Sequence, residues 1–138
     1  MKGQTTLFSH KSDEWATPQD LFDKLNEEFH FDIDVCATPQ NKKCDRYFTQ
    51  ADDGLSQEWG TDTVFCNPPY SNIYAWAEKC FHHKGKAVLL VPSRTDTKWF
   101  HEFCYKKENV ELRFIKGRLK FNNSKNSAPF PSVVVVFN

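Results

Sequence analysis

The sequence predicts an α/β fold with a mostly parallel sheet and an antiparallel pair of strands at its C-terminal end. Short strand-like segments alternate with amphipathic helical ones along most of the chain. The run Ala87–Pro92, AVLLVP, is apolar throughout, as in strands that are covered on both faces. The segments ELRFI and SVVVVF follow near the end of the chain as two further strands.

The first helix is predicted over residues 18–29. Thr17 is suited to cap it, and Pro18 fits the first helical position, where a missing N–H is tolerated. The next segment, FDIDVC at 31–36, alternates apolar and polar residues as a strand does, and the turn-forming ATPQN ends it. The helix carries an apolar stripe of Leu21, Phe22, Leu25 and Phe29.

The middle of the chain, residues 37–61, is polar and is predicted to be mostly loop, with a short strand near Tyr47. TVFC is a short strand that ends at Asn67. A helix is predicted over 72–83, with Gly85 ending it. A last helix is predicted over 97–105, capped by Thr97.

One domain is expected over residues 14–138, preceded by a loose tail over residues 1–13. A chain of 138 residues buries one real core but is short for two domains. Hydrophobic residues make up 39% and charged residues 26%, which argues against a disordered or fibrous chain. No apolar run approaches the roughly 20 residues that span a bilayer, and the first residues lack the apolar centre of a signal peptide. An intracellular protein without membrane contact is expected.

The five cysteines are expected to be free, mostly buried thiols. Their spacing contains no close Cys-x-x-Cys pair, which supports neither a disulfide framework nor a zinc site. Cys80 with His82 and His83 is the nearest approach to a metal cluster, and it needs two more ligands from elsewhere. No metal is therefore expected.

The segment NPPY, residues 67–70, directly follows the TVFC strand and carries the chemistry. A proline pushes the residue before it into extended geometry, so Asn67 and Pro68 are both stiffened. Because prolines lack an N–H, the backbone here offers carbonyl acceptors with few competing donors. Asn67 adds a side-chain carbonyl, and Tyr70 adds a flat ring that can stack. These residues predict a rigid receptor for a planar molecule with an amino group.

Two such acceptors would activate an aromatic amine, whose lone pair is normally delocalised into its ring. If the Asn67 side chain and the Pro68 carbonyl bind the amine hydrogens, the lone pair turns toward an electrophile. Catalysis would then depend on orientation and charge placement, without a covalent intermediate. If the 31–36 strand and the TVFC strand are neighbours, the loops after them share one crevice at the carboxyl edge of the sheet, where ligands bind in such folds.

The net charge of zero hides two opposed halves. Residues 1–85 carry 8 Lys and Arg against 14 Asp and Glu, and residues 86–138 carry 10 against 4. Solvated surface charge alone can give such a division. The functional alternative is a chain that binds a cation with its first half and a polyanion with its second.

The chain resembles small phage-type DNA N6-adenine methyltransferases, within the S-adenosylmethionine-dependent amino-methyltransferases. The resemblance covers most of the chain and implies a compact Rossmann-like methyltransferase fold. It also implies site-specific methyl transfer from S-adenosylmethionine to the N6 amino group of a flipped adenine in double-stranded DNA, in the cytoplasm of a bacterial or phage-infected cell. It rests on DEWATPQDLF, DIDVCAT, NKKCDRYFT, DDGLSQEW, FCNPPYS, LVPSRTDTKWFHE, FIKGRLKF and FPSVVVVF, in that order.

The resemblance also implies a role for each matching residue. The catalytic loop that holds the flipped base consists of Asn67, Pro68, Pro69 and Tyr70. Cofactor contacts are implied for Thr17, Pro18, Asp34, Cys36, Ala37, Asn67 and one of Asp52 and Asp53, with Asp34 facing the ammonium group. With DNA as the expected substrate, the basic second half of the chain also has a use, since phosphates could meet Arg94, Lys98, Arg113, Lys116, Arg118, Lys120 and Lys125. Phe121 and Phe130 are weaker candidates for contacts near the base.

One departure and two alternatives accompany this interpretation. DIDVCATPQN contains no glycine, whereas the broad superfamily usually has a glycine-rich cofactor loop. The same NPPY loop serves enzymes that methylate RNA adenines or protein glutamines, and an inactive relative would bind cofactor or DNA without turnover. The basic second half favours DNA, and the intact NPPY favours activity. Sequence specificity would have to come from loops such as 93–98 and 116–128, with Gly117 making a turn.

Overall fold

The computed structural model describes residues 15–121 and 126–138, so the tail predicted over 1–13 lies outside the described residues. The described residues form two α-helices and five strands, together with a 3-10 turn, Tyr70–Asn72, and a π-helix, Phe100–Cys104. No helix within these ranges is long and apolar enough to cross a membrane. The main elements are α1 (Gln19–Phe29), β1 (Ile33–Asp34), β2 (Val64–Cys66), α2 (Ile73–His82), β3 (Ala87–Pro92), β4 (Val110–Phe114) and β5 (Ser132–Phe137).

The five strands form one sheet in the order β1-β2-β3-β5-β4. β1 pairs with β2, and β2 with β3, in parallel. β5 lies antiparallel between β3 and β4, so β4 runs in the same direction as the first three strands. The α/β class and the antiparallel C-terminal pair are confirmed. Four of the five strands run in the same direction. Because the reversed strand β5 lies between two of them, however, two of the four pairings are antiparallel, and they are the longest ones.

Both faces of the sheet are covered. On one face, α2 and the π-helix pack over Leu89 and Val91 of the central strand. On the other face, α1 packs over Val88 and Leu90 through Phe22 and Leu25. Every residue of β3 is buried, which confirms the expectation from its continuous apolar sequence.

The first strand is shorter than its sequence pattern predicts. Only Ile33–Asp34 pairs with β2, and the expected strand near Tyr47 is a single bridge to Asp34. Phe31 packs in the cluster on the α1 face, whereas Ile33 and Val35 pack in the cluster on the α2 face. Residues 31, 33 and 35 therefore do not all face the same side of the sheet, because Phe31 packs against Phe22 and Phe29 of α1.

The helices predicted over 18–29, 72–83 and 97–105 agree with the structure to within one residue at each end, but the predicted caps and the predicted stop at Gly85 are wrong. The residue before α1 is Pro18, without a side-chain cap, and the Thr17 hydroxyl instead accepts a hydrogen bond from Asn67. The Thr97 hydroxyl donates to the Arg94 carbonyl oxygen at 2.7 Å and caps no helix. Helix α2 ends at His82, and Gly85 is needed because a Cβ there would overlap the carbonyl oxygens of residues 61 and 62. A tertiary partner engages the Thr17 hydroxyl and a carbonyl three residues earlier engages that of Thr97, so neither caps a helix.

The cysteines are free in the described part of the chain, as expected, and Cys66, Cys80 and Cys104 are buried. Within residues 15–121 and 126–138, no group of three or more His, Cys, Asp or Glu side chains is arranged to hold a metal ion. Burial raises the pKa of the Cys104 thiol to about 12, so it stays protonated at neutral pH.

Candidate active site

A cavity of about 540 Å³ opens at the carboxyl ends of β1 and β2. Because these strands are parallel neighbours, the loops that follow them meet there, as predicted from the sequence. Its size falls in the usual range for small-molecule sites. Four segments contribute walls, namely residues 15–17, the loop that begins at Asp34, the turn around 49–54 and the NPPY loop.

Asn67 lies at the mouth of this cavity with its amide orientation fixed. Its Nδ2 donates one hydrogen bond to the Thr17 hydroxyl at 2.9 Å and another to the carbonyl oxygen of Trp15. A carbonyl oxygen can only accept, so the nitrogen end of the amide must face the 15–17 segment. The oxygen end, Oδ1, is left to face the other way. Its contact there is the Tyr70 hydroxyl, which donates across a long 3.4 Å.

The two prolines of the NPPY loop differ in their surroundings. The N-cap of the 3-10 turn, Pro69, is extended, and its carbonyl accepts from Asn72. In the described part of the chain, no hydrogen bond engages the Pro68 carbonyl oxygen. Pro68 is buried and Pro69 lines the cavity. Among the described residues, the only donor to either the Asn67 Oδ1 or the Pro68 carbonyl oxygen is the Tyr70 hydroxyl, at 3.4 Å from Oδ1.

Tyr70 belongs to a cluster of four rings beside the NPPY loop. Its ring lies almost parallel to that of Trp15, with centroids 6.5 Å apart and an angle of 12°. Phe130 stands edge-on to both, at 5.3 Å from Trp15 and 5.5 Å from Tyr70. Phe121 contacts Trp15 and Phe130. The two weaker candidates from the sequence therefore lie together with Tyr70, joined by Trp15, which sequence reasoning did not select.

Burial also keeps the Tyr70 hydroxyl protonated. It raises the pKa of Tyr70 well above its usual range, and the nearby charge of Arg94 offsets only part of that rise. A phenol with such a pKa is a poor base at neutral pH. Tyr70 can therefore contribute its ring face and a weak donor to Asn67, but not proton abstraction.

Asp34 ends β1 with its carboxylate at the cavity wall. Only 3% of the residue is exposed. Its Oδ2 accepts from the backbone N–H of Lys43 at 3.1 Å, and Oδ1 from that of Cys36 at 3.4 Å. Burial raises the pKa of Asp34 to about 6, although both N–H groups and the charge of Lys43 act in the opposite direction. Burial disfavours the charged form of this carboxylate, so a cationic ligand group in the cavity would stabilise it.

Gly54 explains how the backbone approaches the cavity without a glycine in DIDVCATPQN. A Cβ at Gly54 would overlap the carbonyl oxygen of Val35 and reach the Trp76 ring at 3.0 Å. The carbonyl of Gly54 also accepts from the Trp59 indole N–H at 3.0 Å. The glycine that allows close backbone packing at the cavity therefore lies in the 49–54 turn and not in the loop after β1. The sequence DDG contained the signal, but nothing local showed which chain segment lay opposite.

We expect Gly54→Ala to lower the free energy of unfolding by about 1–3 kcal/mol, because an added methyl group has no space. Cofactor affinity should fall as well, since the Val35 carbonyl belongs to the cavity wall. Chemical denaturation and calorimetry measure the two effects. Gly60→Ala is the control, because Gly60 has a positive φ of 59° but no atom within 4 Å of an added Cβ. Equal losses of cofactor affinity in both variants would contradict the close-approach explanation.

The sequence matches the family model of DNA N-6-adenine-methyltransferase (Dam) over residues 4–136. The chain belongs to the Dam family. It is 31% identical over 124 residues to the DNA N-6-adenine-methyltransferase of Haemophilus phage HP1, covering 83% of this chain and 70% of that protein. It is 30% identical over 95 residues to that of Escherichia phage T1, covering 65% and 40%. A putative methyltransferase of Escherichia coli K12, YfdM, is 34% identical over 65 residues, covering 42% of this chain and 71% of that protein.

The family predicted from the sequence is therefore confirmed, and the chain spans 40% of the length of the T1 relative. Of the other cofactor candidates in this Dam family chain, Thr17, Cys36, Ala37 and Asp53 line the cavity. Pro18 does not line it. Asp52 turns its carboxylate to the Thr49 N–H and hydroxyl, at 2.8 and 3.0 Å, and does not line it either. The geometry thus favours Asp53 where the sequence left two options open.

The basic candidates lie near the same edge of the sheet as the cavity. Arg94 follows β3, and residues 116–120 follow β4, whose carboxyl end lies at that edge because β4 runs parallel to β1. Gly117 has a φ of 74° and makes the expected turn. No carboxylate of the described residues forms an ion pair with Arg94, Lys116, Arg118 or Lys120, all of which are exposed.

Two basic residues are already engaged. Lys98 lies 3.7 Å from Glu102 and over the Tyr74 ring, although it remains exposed. Arg113 was expected to meet phosphate, but its guanidinium forms hydrogen bonds with both oxygens of Glu28 at 2.6 and 2.7 Å and with Glu111. This pairing compensates its charge, so Arg113 ties β4 to α1 instead. Lys125 lies outside the described residues.

Proposed function

We propose that this chain is a site-specific DNA adenine-N6 methyltransferase that uses S-adenosylmethionine. The observation that carries the proposal is Asn67, which lines the same cavity as the buried Asp34 carboxylate and whose Oδ1 is turned away from the 15–17 segment. Membership of the Dam family and the printed activities of the two phage relatives support adenine in DNA as the target. A single domain over 14–138 with a Rossmann-like arrangement is part of the proposal.

The residues of the cavity fit this cofactor. Asp34 offers a buried negative charge for an ammonium group, and Asp53 lies across the cavity on the 49–54 turn. The 49–54 turn can approach the Val35 carbonyl at this wall only because Gly54 has no side chain. When bound, S-adenosylmethionine supplies a methyl group on a positively charged sulfur. Asp34, Cys36 and Ala37 would contact its methionine part, with Asp53 nearer the adenosine part.

Asn67 and Pro68 prepare the amine. Their oxygens accept the two N6 hydrogens of the target adenine, which draws the nitrogen lone pair out of conjugation with the ring. The nitrogen gains the methyl group as the carbon–sulfur bond breaks, and one N6 proton then leaves to solvent. Tyr70 stays protonated throughout and takes no part as a base. The contribution of the chain is orientation and placement of partial charge.

The ring cluster would receive the flipped base. The Trp15 and Tyr70 rings are near-parallel with centroids 6.5 Å apart, and Phe130 stands across one side. Stacking on one or both rings would offset part of the few kcal/mol that flipping costs.

We expect Trp15→Leu to weaken binding of DNA that carries the target adenine by about tenfold, because one stacking face is worth about 1–3 kcal/mol. Trp15→Phe should retain most of the affinity. Both variants keep the backbone carbonyl that holds Asn67, so the ring is tested alone. Fluorescence anisotropy with adenine or an abasic position at the target measures the effect. A Trp15→Leu variant that weakens both DNAs equally would remove Trp15 from the base site.

The exposed residues Arg94, Lys98, Lys116, Arg118 and Lys120 would meet DNA phosphates around the flipped base. Their position near the cavity edge supports this assignment. Since Arg113 is paired with two carboxylates, it is left out of the proposal.

Transfer of radiolabelled methyl groups tests the function directly. Purified protein is incubated with labelled S-adenosylmethionine and unmethylated DNA, RNA or a cell protein extract. Label on N6 of adenine in double-stranded DNA is expected. Label confined to RNA or protein would overturn the DNA assignment, and no transfer to any substrate would favour an inactive relative. Sequencing of modified bases in DNA from expressing cells then identifies the target site.

A further inference from the structure

We infer that Thr17 is a positioning residue for methyl transfer, acting through Asn67. The sequence assigned it first to a helix cap and, by resemblance, to a cofactor contact. The inference rests on the proposed function, since it concerns how Asn67 presents its oxygen to the amine.

The side-chain amide of Asn67 has two ends of nearly equal shape and opposite hydrogen-bonding character. Only one orientation places an acceptor toward the substrate. In the structure, Nδ2 lies 2.9 Å from the Thr17 hydroxyl oxygen and within hydrogen-bonding distance of the Trp15 carbonyl oxygen. Both amide hydrogens are therefore engaged by the 15–17 segment, and Oδ1 is directed away from it.

The reversed orientation is unfavourable at both ends. It would set Oδ1 against the Trp15 carbonyl oxygen, an acceptor facing an acceptor with no proton between them. It would also present an NH₂ group to the amino group of the target base, so no hydrogen bond would form there. Thr17 is only 6% exposed, so water is largely kept from competing for its bond to Asn67.

The local structure shows why Thr17 is available for this bond. Pro18 occupies the position before α1, and no side chain caps the helix. The Thr17 hydroxyl is thereby turned toward the NPPY loop instead of the helix N–H groups. Asn67 has few other local anchors, since the contact from the Tyr70 hydroxyl to its Oδ1 is 3.4 Å long. The 15–17 segment thus provides the main restraint on the amide.

Thr17→Val and Thr17→Ser test the inference. Valine keeps the shape of threonine without the hydroxyl, so we expect kcat on DNA to fall by about 10- to 100-fold, as for a buried donor left without its partner. Serine keeps the hydroxyl and should restore kcat to within a few-fold. The dissociation constant for S-adenosylmethionine, measured by calorimetry, should change little in either variant.

A double-variant cycle keeps the test decisive if the valine variant is less stable. In an Asn67→Ala background, Thr17→Val should lower kcat no further, because the amide it positions is gone. A wild-type kcat in Thr17→Val overturns the inference. A loss confined to S-adenosylmethionine affinity also overturns it and makes Thr17 a cofactor contact.

Failure of the inference is distinguishable from failure of the proposed function. The wild-type protein is assayed first with labelled cofactor and unmethylated DNA. If it transfers no methyl group to DNA adenine, the function is wrong. If it does and the Thr17 variants behave like wild type, only the positioning role is wrong.

Discussion

Replacing Asn67 with alanine lowers kcat for DNA methylation by about 10²- to 10³-fold, the loss expected when one preorganised hydrogen-bonding group is removed from a reacting centre. The variant lacks the Oδ1 acceptor that turns the amine lone pair toward the methyl group. Its affinity for S-adenosylmethionine should change far less, because the cavity walls at Asp34 and Gly54 are untouched. Single-turnover methyl transfer and calorimetry measure the two quantities.

Asn72→Ala is the matched control for this variant. Asn72 lies at the end of the same loop, is exposed, and caps α2 with no side-chain hydrogen bond. It should methylate DNA at the wild-type rate. The Asn67→Ala substitution leaves the Thr17 hydroxyl and the Trp15 carbonyl without their donor. A thermal melt therefore checks that the variant is still folded. If Asn67→Ala matches the wild-type rate, the site assignment is wrong.

Replacing Asp34 with asparagine is expected to weaken S-adenosylmethionine binding by about 30-fold or more, as when one partner of a buried charge pair is removed. The side chain keeps its shape and one oxygen for the Lys43 N–H, so the loop after β1 is disturbed as little as possible. Calorimetry at pH 8 measures the loss. Asp45→Asn, an exposed carboxylate outside the cavity, should leave affinity unchanged.

The pH dependence of the same residue gives a second test. Burial raises the pKa of Asp34 from 3.8 to about 6, so the free protein carries a growing protonated fraction as pH falls through that value. Binding of a cationic cofactor requires the charged form. Affinity for S-adenosylmethionine should therefore fall between pH 7 and pH 5 in the wild type and be flatter in Asp34→Asn.

The stability of the cofactor-free protein should depend on pH in the opposite sense. Because the folded pKa of Asp34 lies above the unfolded value, the folded state binds more protons between pH 4 and 6. This group therefore contributes stability at low pH that is lost as pH rises through about 6. In urea denaturation, the free energy of unfolding of Asp34→Asn minus that of the wild type should be larger at pH 8 than at pH 5. Parallel pH profiles for the two proteins would remove Asp34 as the titrating group.

Much of the fold was predictable because its signals are local. The apolar run Ala87–Pro92 is the buried central strand, and the stripe in Gln19–Phe29 is an amphipathic helix. The reversed position of β5 between β3 and β4 was only partly predictable, since alternation along the chain indicates strands but not which strand inserts between two others. The predicted caps at Thr17 and Thr97 were wrong because partners elsewhere in the chain or turn engage both hydroxyls.

Part of the candidate site was likewise predictable from the sequence, and part was not. The sequence by itself determined the stiff, donor-poor NPPY loop, since prolines restrict their neighbours and remove N–H groups wherever they occur. It also determined the family, which the match over residues 4–136 confirms. Only the tertiary structure decided which end of the Asn67 amide faces the 15–17 segment, that the backbone at Gly54 approaches Val35 closely, and that Arg113 is paired by carboxylates. The physical reason is distance along the chain, because the hydroxyl that orients Asn67 lies 50 positions earlier and no local pattern records that contact.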